Sequence, residues 1–196
     1  IEFKPFYLVS NFEYQTFRIK DLLENPFFIE ILKSQILNNK NLNALINFDV
    51  KNVYDFDRFS DLSIKLKIEE GNYNFSNSNI IWKENVNVSF SDSFLNFDKG
   101  KINLNGRTSF DVKNQDEFYK FFQIKKDLRK NIKKIELDFN YDFNEEKISF
   151  DNLRIDNKSN KKIEEIVSEF NSNSKKFFNK VTFKNFVNDI LLAYFG

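Results

Sequence analysis

Acid–base chemistry in this chain falls to carboxylates and amines, because its sequence contains no His and no Cys. Serine and cysteine triads need a His base, and the common zinc and haem sites need His or Cys ligands, so composition excludes those classes. Two adjacent pairs, Glu69-Glu70 and Glu145-Glu146, leave a glycosidase-type acid and base open. Both pairs fall at strand ends or turns on a polar face, where a solvated carboxylate is the ordinary outcome. A glycine-rich phosphate loop is absent too, since Gly71, Gly100, Gly106 and Gly196 stand alone. The residues therefore read as non-enzymatic, with no catalytic residue, no metal and no cofactor.

The sharpest charge feature is Lys125, Lys126, Arg129, Lys130, Lys133 and Lys134, grouped around a single Asp127 between a helix and a strand. Cations at this density suit phosphate oxygens, whether in lipid headgroups or in nucleic acid. A solvated loop whose cations offset acids on neighbouring strands would carry the same residues. The net charge is only +1 at pH 7, whereas a dedicated nucleic-acid binder is usually more basic, so no nucleic-acid partner is expected.

The elements that must hold these groups show in the hydrophobic periodicity. From Lys101, Ile102, Leu104, Thr108, Phe110 and Val112 share one face of a strand, and Asn103, Asn105, Arg107, Ser109 and Asp111 share the other. Ile135, Leu137, Phe139, Tyr141 and Phe143 repeat the pattern against Glu136, Asp138, Asn140, Asp142 and Asn144. Upstream, Phe3 to Phe17 alternates as one or two strands with Leu8, Ser10, Phe12 and Tyr14 on one side. Further strands carry Leu42 to Val50, Leu62 to Ile68, Ile81-Trp82, Val86 to Phe90 and Leu95-Phe97, with turns at Gly71-Asn72, Ser76 to Asn79 and Asp98-Lys99-Gly100. In the last strand pair Ile148 and Phe150 are followed by Leu153 and Ile155, a phase slip that a β-bulge near Asp151-Asn152 would absorb.

Helices are expected near Pro26–Leu37, capped by Asn25, and near Asp116–Gln123, where Asn114 and Glu117 form a near capping box. Two more are expected at Lys161–Phe170 and Phe183–Phe195, the last starting from a Thr182 cap. The fold expected is mainly β, of the α+β class: a long, curled, mostly antiparallel sheet with one apolar face, packed or capped by amphipathic helices. All 196 residues form a single region, with a β-meander and one inserted helix over 1–112, then a helix, a strand hairpin and capping helices over 113–196.

The order Gly106…Phe110, Phe118-Tyr119…Phe122-Gln123-Ile124, Arg129…Ile132-Lys133-Lys134-Ile135…Asp138-Phe139, Ile148…Asp151-Asn152-Leu153…Asp156 resembles the C-terminal region of AsmA-family proteins. The likeness reaches back to Asn41-Leu42-Asn43 and Trp82-Lys83 and forward to Phe183-Lys184-Asn185-Phe186-Val187. It implies a β-groove in the periplasm of Gram-negative cells, tethered to the inner membrane by an upstream anchor and implicated in moving phospholipid toward the outer membrane. The chain begins at Ile1 and contains no Met, so the expectation is a piece of such a longer, membrane-anchored protein. The resemblance implies phospholipid acyl chains as partner, with Phe48, Leu66, Val88, Leu104, Phe110, Leu137, Phe139 and Tyr141 as lipid-facing candidates. Lys125, Lys126, Arg129, Lys130, Lys133 and Lys134 are the headgroup candidates.

From the residues alone, the apolar face has three possible covers. A second sheet, the amphipathic helices or a ligand in a trough would each produce the same alternation. The alternative to lipid transport is a structural or protein-interaction β-domain whose apolar face is ordinary core.

Overall fold

The computed structural model describes residues 6–18, 26, 30, 31, 34, 39–54, 59–82, 85–98, 101–172 and 180–196. In chain order its strands are β1 Phe6–Phe17, β2 Leu42–Val53, β3 Phe59–Glu69, β4 Asn72–Asn74, β5 Asn79–Trp82, β6 Val86–Asp98, β7 Lys101–Val112, β8 Lys134–Asp142 and β9 Lys147–Ile155. Helix α1 spans Gln115–Phe121, a 3-10 turn spans Lys126–Leu128, and helices α2 and α3 span Lys161–Ser172 and Lys180–Phe195. The protein is mainly β, as its alternating segments require: all nine strands join one mixed sheet.

The sheet runs β1-β2-β3, then a lane shared by β4 and β5, then β6-β7-β8-β9. Every pairing is antiparallel except that of β1 with β2. Parallel neighbours cannot be joined by a tight hairpin, so the chain between Phe17 and Leu42 must cross back along the sheet. The helix expected at Pro26–Leu37 lies in that crossover. Most of it falls outside the described residues, as do Asn25 and the turn residues 99–100, but Pro26, Glu30, Ile31 and Ser34 are helical.

In the shared lane, serines stand in for the missing strand. Lys65 N–H donates to Ser78 Oγ at 3.0 Å, Ser93 N–H donates to Ser76 Oγ at 3.0 Å, and Phe90 N–H donates to the Ser78 carbonyl at 2.8 Å. The turn expected at Ser76 to Asn79 is therefore an interruption within one lane that leaves the neighbouring ladder satisfied.

Three bulges bend the strands, and each carries an Asx residue in the left-handed region: Asp61 in β3 (φ 47°), Asp92 in β6 (φ 48°) and Asn152 in β9 (φ 51°). Short polar side chains tolerate that conformation better than bulky ones. The bulge expected near Asp151-Asn152 is present, and the Asp92 bulge joins Val86 to Phe90 and Leu95-Phe97 into one strand. On the polar face a chain of contacts links two bulges. Arg107 donates to Asp138 at 2.8 Å and lies 3.8 Å from Asp92, while Asn152 Nδ2 donates to the other Asp138 oxygen at 2.7 Å. Burial alone would raise the Asp138 carboxyl, but the Arg107 and Asn152 hydrogen bonds outweigh it and hold the group below its usual range.

The opposite face is apolar from edge to edge. Leu8, Ala44, Ile68, Tyr73, Leu95, Leu104, Tyr141 and Ile148 stand opposite one another in register from β1 to β9. A second row runs Ile80, Val88, Phe110, Ile135, Ile155. Helices pack on this second row and beyond it, bringing Phe118, Tyr119, Ile163, Val167, Phe186, Ile190 and Leu191 into the same core. Phe150 stacks on Phe186 with ring centroids 5.4 Å apart, and Trp82 meets Phe121 edge-on at 4.8 Å.

One expected cap is present and one is not. Glu117 N–H donates to Asn114 Oδ1, so Asn114 does cap α1. Helix α3 begins at Lys180, which places Thr182 inside the helix and not at its cap. For α2 the cap is Asn160, whose Oδ1 accepts from Ile163 N–H at 2.9 Å and whose Nδ2 donates to the Ala193 carbonyl on α3.

Candidate functional site

Cover on the apolar face changes from one edge of the sheet to the other. At β9 it is complete: Ile155 is fully buried among Ile163 of α2 and Leu191 of α3, which are fully buried themselves. At β1 it is incomplete. Leu8, Phe12 and Tyr14 lie on the apolar face, in register with Ala44, Phe48 and Val50, and are 38%, 44% and 45% exposed. Phe48 of β2 sits at the margin, half-buried, with Tyr14 and Phe17 rings at 5.1 and 4.8 Å.

Burial divides the lipid-facing candidates. Val88, Leu137 and Tyr141 are buried, in the same core cluster as the helix residues. Alternation placed these positions on the apolar face but carried no information about what lies over it. Phe48, Leu66, Leu104, Phe110 and Phe139 are half-buried. Phe12 and Tyr14 belong with Phe48 at the open side, and their signal in the sequence was the alternation of Leu8, Ser10, Phe12 and Tyr14.

Most of the expected cationic group is built into the fold. Arg129 donates to the Ile124 carbonyl at 3.0 Å, reaches Asp116 at 3.4 Å and lies 5.6 Å from the centre of the Tyr119 ring. Lys134 pairs with Glu136 at 2.7 Å, and Lys130 Nζ is 3.5 Å from the Tyr194 carbonyl. Asp156 Oδ1 accepts both the Lys133 and the Lys134 N–H, at 3.0 and 2.9 Å. Tyr119 donates its hydroxyl to the Lys130 carbonyl, and burial pushes that phenol up to about 12, with Tyr194 and Asp156 adding to the rise. Arg129, Lys130 and Lys134 thus serve the loop's own structure. Lys125, Lys126 and Lys133 remain exposed, with no ion pair among the described residues.

The carboxylate pairs do not converge. Glu69-Glu70 turns β3 into β4 and Glu145-Glu146 turns β8 into β9, with β6 and β7 between them, and Glu69 and Glu145 are paired with Lys67 and Lys147. Among the described residues no cluster of acidic side chains could hold a metal ion, and no helix is long and apolar enough to cross a membrane. A surface groove of about 570 Å³ lies between β9 and α2, lined by Asn152, Arg154, Ser168 and Asn171 among others. Its Asn171 amide is engaged with the strand edge, donating to the Phe150 carbonyl at 2.8 Å and accepting the Phe150 N–H at 2.9 Å. No family model, no curated protein and no solved structure matches the chain.

Proposed function

We propose that this chain is the closed end of an acyl-chain-holding β-sheet, a non-enzymatic part of a phospholipid transporter of the AsmA-like kind, working in the periplasm from an inner-membrane tether. The observation that supports it most is the opening of the apolar face at β1, where Tyr14 is 45% exposed beside buried Val50 of β2, against the fully buried Ile155 at β9. Helices α2 and α3 close the β8–β9 side, and the open side presents Leu8, Phe12, Tyr14, Phe48 and Leu66. Acyl chains would lie against these side chains through non-directional apolar contact. This needs no catalytic group and no cofactor. The second reading, a structural or protein-interaction domain, is favoured by the burial of Val88, Leu137 and Tyr141, and it predicts an open side covered by protein.

Native mass spectrometry of the purified chain tests the proposal, with co-purified phospholipid as the expected result. Phe48→Asp and Val88→Asp then separate trough from core. Val88 is only 5% exposed, so a carboxylate there would be desolvated without a partner and cost several kcal/mol, enough to unfold much of the protein. Phe48→Asp at the margin is expected to abolish lipid retention with a far smaller loss of stability. Absence of lipid from the wild-type chain, together with equal destabilisation by both variants, would overturn the lipid reading.

A further inference from the structure

The loop between α1 and β8 presents a second surface, at the helix-covered end of the sheet. Its interior is already ordered: Tyr119 and Arg129 hold the Lys130 and Ile124 carbonyls, Leu128 N–H donates to the Lys125 carbonyl at 3.1 Å, and Asp156 clamps the Lys133 and Lys134 amides. The exposed charged side chains of the loop are Lys125, Lys126, Lys130 and Lys133 with the single acid Asp127, and Leu128 is 38% exposed at the end of the 3-10 turn. Asp156 N–H also donates to the Lys134 carbonyl, and this brings the turn bearing exposed Lys158 alongside.

We propose that this loop, with Lys158 beside it, is a docking surface for an anionic lipid bilayer. The cations complement anionic headgroups, and a leucine held among them gains by entering the headgroup boundary. A nucleic-acid backbone would use the lysines and gain nothing from Leu128, and residues 124–133 contain no aromatic ring on which a base could stack. Because the loop is pre-ordered, little conformational entropy remains to be lost on docking. The surface is separate from the open apolar side at β1, so it does not depend on lipid being held there.

The test is co-sedimentation of the intact chain with phosphatidylcholine vesicles, with and without phosphatidylglycerol. Binding is expected only with phosphatidylglycerol and is expected to weaken as salt rises. A lysine near an anionic surface changes partitioning roughly fivefold, so Lys125→Gln with Lys126→Gln should lose on the order of twentyfold. Leu128→Ser should lose severalfold at unchanged charge. Lys51→Gln with Lys65→Gln removes the same charge from β2 and β3 and should lose little. Equal binding to both vesicle types, or an equal loss in that control, would overturn the proposal. So would salt-dependent binding to duplex DNA that the loop variants abolish while vesicle binding persists. Acyl occupancy of the same variants, read by native mass spectrometry, should stay at the wild-type level, which keeps failure of docking distinct from failure of the lipid-holding face.

Discussion

Replacing Gly106 by alanine places a methyl group where the sheet has no room for one. Gly106 lies on the apolar face of β7, opposite Phe139 of β8 and beside the bulge of β6. A Cβ there would sit 2.2 Å from Ser93 Oγ, 2.9 Å from Ser93 Cβ and 3.0 Å from Phe139 Cε1. Neither neighbour yields easily. Ser93 is 1% exposed, its N–H donates to Ser76 Oγ at 3.0 Å and its carbonyl accepts the Phe75 N–H at 2.7 Å. The Phe139 ring is held edge-on by Phe90 at 5.9 Å. Overpacking of this kind costs about 1–3 kcal/mol, against which alanine recovers roughly 0.5–1 kcal/mol of backbone entropy in a strand. The net expectation is a loss of about 1–2 kcal/mol, or roughly 2–8 °C in melting temperature for a chain of this size, read by circular dichroism. Ser93→Gly removes both Ser93 atoms and should couple favourably with Gly106→Ala by about 1 kcal/mol in a double-mutant cycle. Ser93→Ala, which keeps the Cβ, should rescue less. A neutral Gly106→Ala, or no coupling with Ser93→Gly, would refute the argument.

Asn171→Ala removes both hydrogen bonds to Phe150 at the β9 edge; a loss of about 1–3 kcal/mol is expected, with faster hydrogen exchange at the Phe150 amide. Asn152→Ala puts a less tolerant residue at φ 51° and deletes the bond to Asp138, so its urea midpoint should fall further than that of Asn152→Gly, which relieves the backbone. Equal falls in the two variants would assign the effect to the side-chain bond, which both delete. Burial raises Tyr73 and Tyr119 to about 12, above the ~10 of an exposed tyrosine. Their contribution is therefore whole below pH ~10 and is lost as pH rises through the folded value. Stability should fall over that interval in step with tyrosinate absorbance, and the fall should be shallower in Tyr73→Phe.

What the sequence determined by itself is whatever depends on near neighbours along the chain. Alternation assigned faces correctly: Phe110, Phe139 and Tyr141 on the apolar side, and Asp138 on the polar side with Arg107. Asn114 was recognisable as a cap because its partner, Glu117, is three residues away. The Asn152 bulge was legible because the apolar phase slips by one residue between Phe150 and Leu153. The same slip lies between Phe90 and Leu95, with Phe94 exposed and Leu95 buried, but there it reads equally well as a break between two strands. Tertiary structure alone decided the rest. Strand direction leaves no trace in period-two alternation, so the parallel pairing of β1 with β2 could not be read. The cationic run looked uniform, yet Arg129 and Lys134 are spent on Asp116 and Glu136, acids 13 and 2 residues away, while Lys125 and Lys126 stay free of ion pairs among the described residues. The cover over each apolar residue was decided last of all. Val88 and Phe12 carry the same pattern in sequence, but one is buried in the core cluster that the helices share and the other lies at the sheet's edge, because burial is set by what folds over a strand and not by the strand itself.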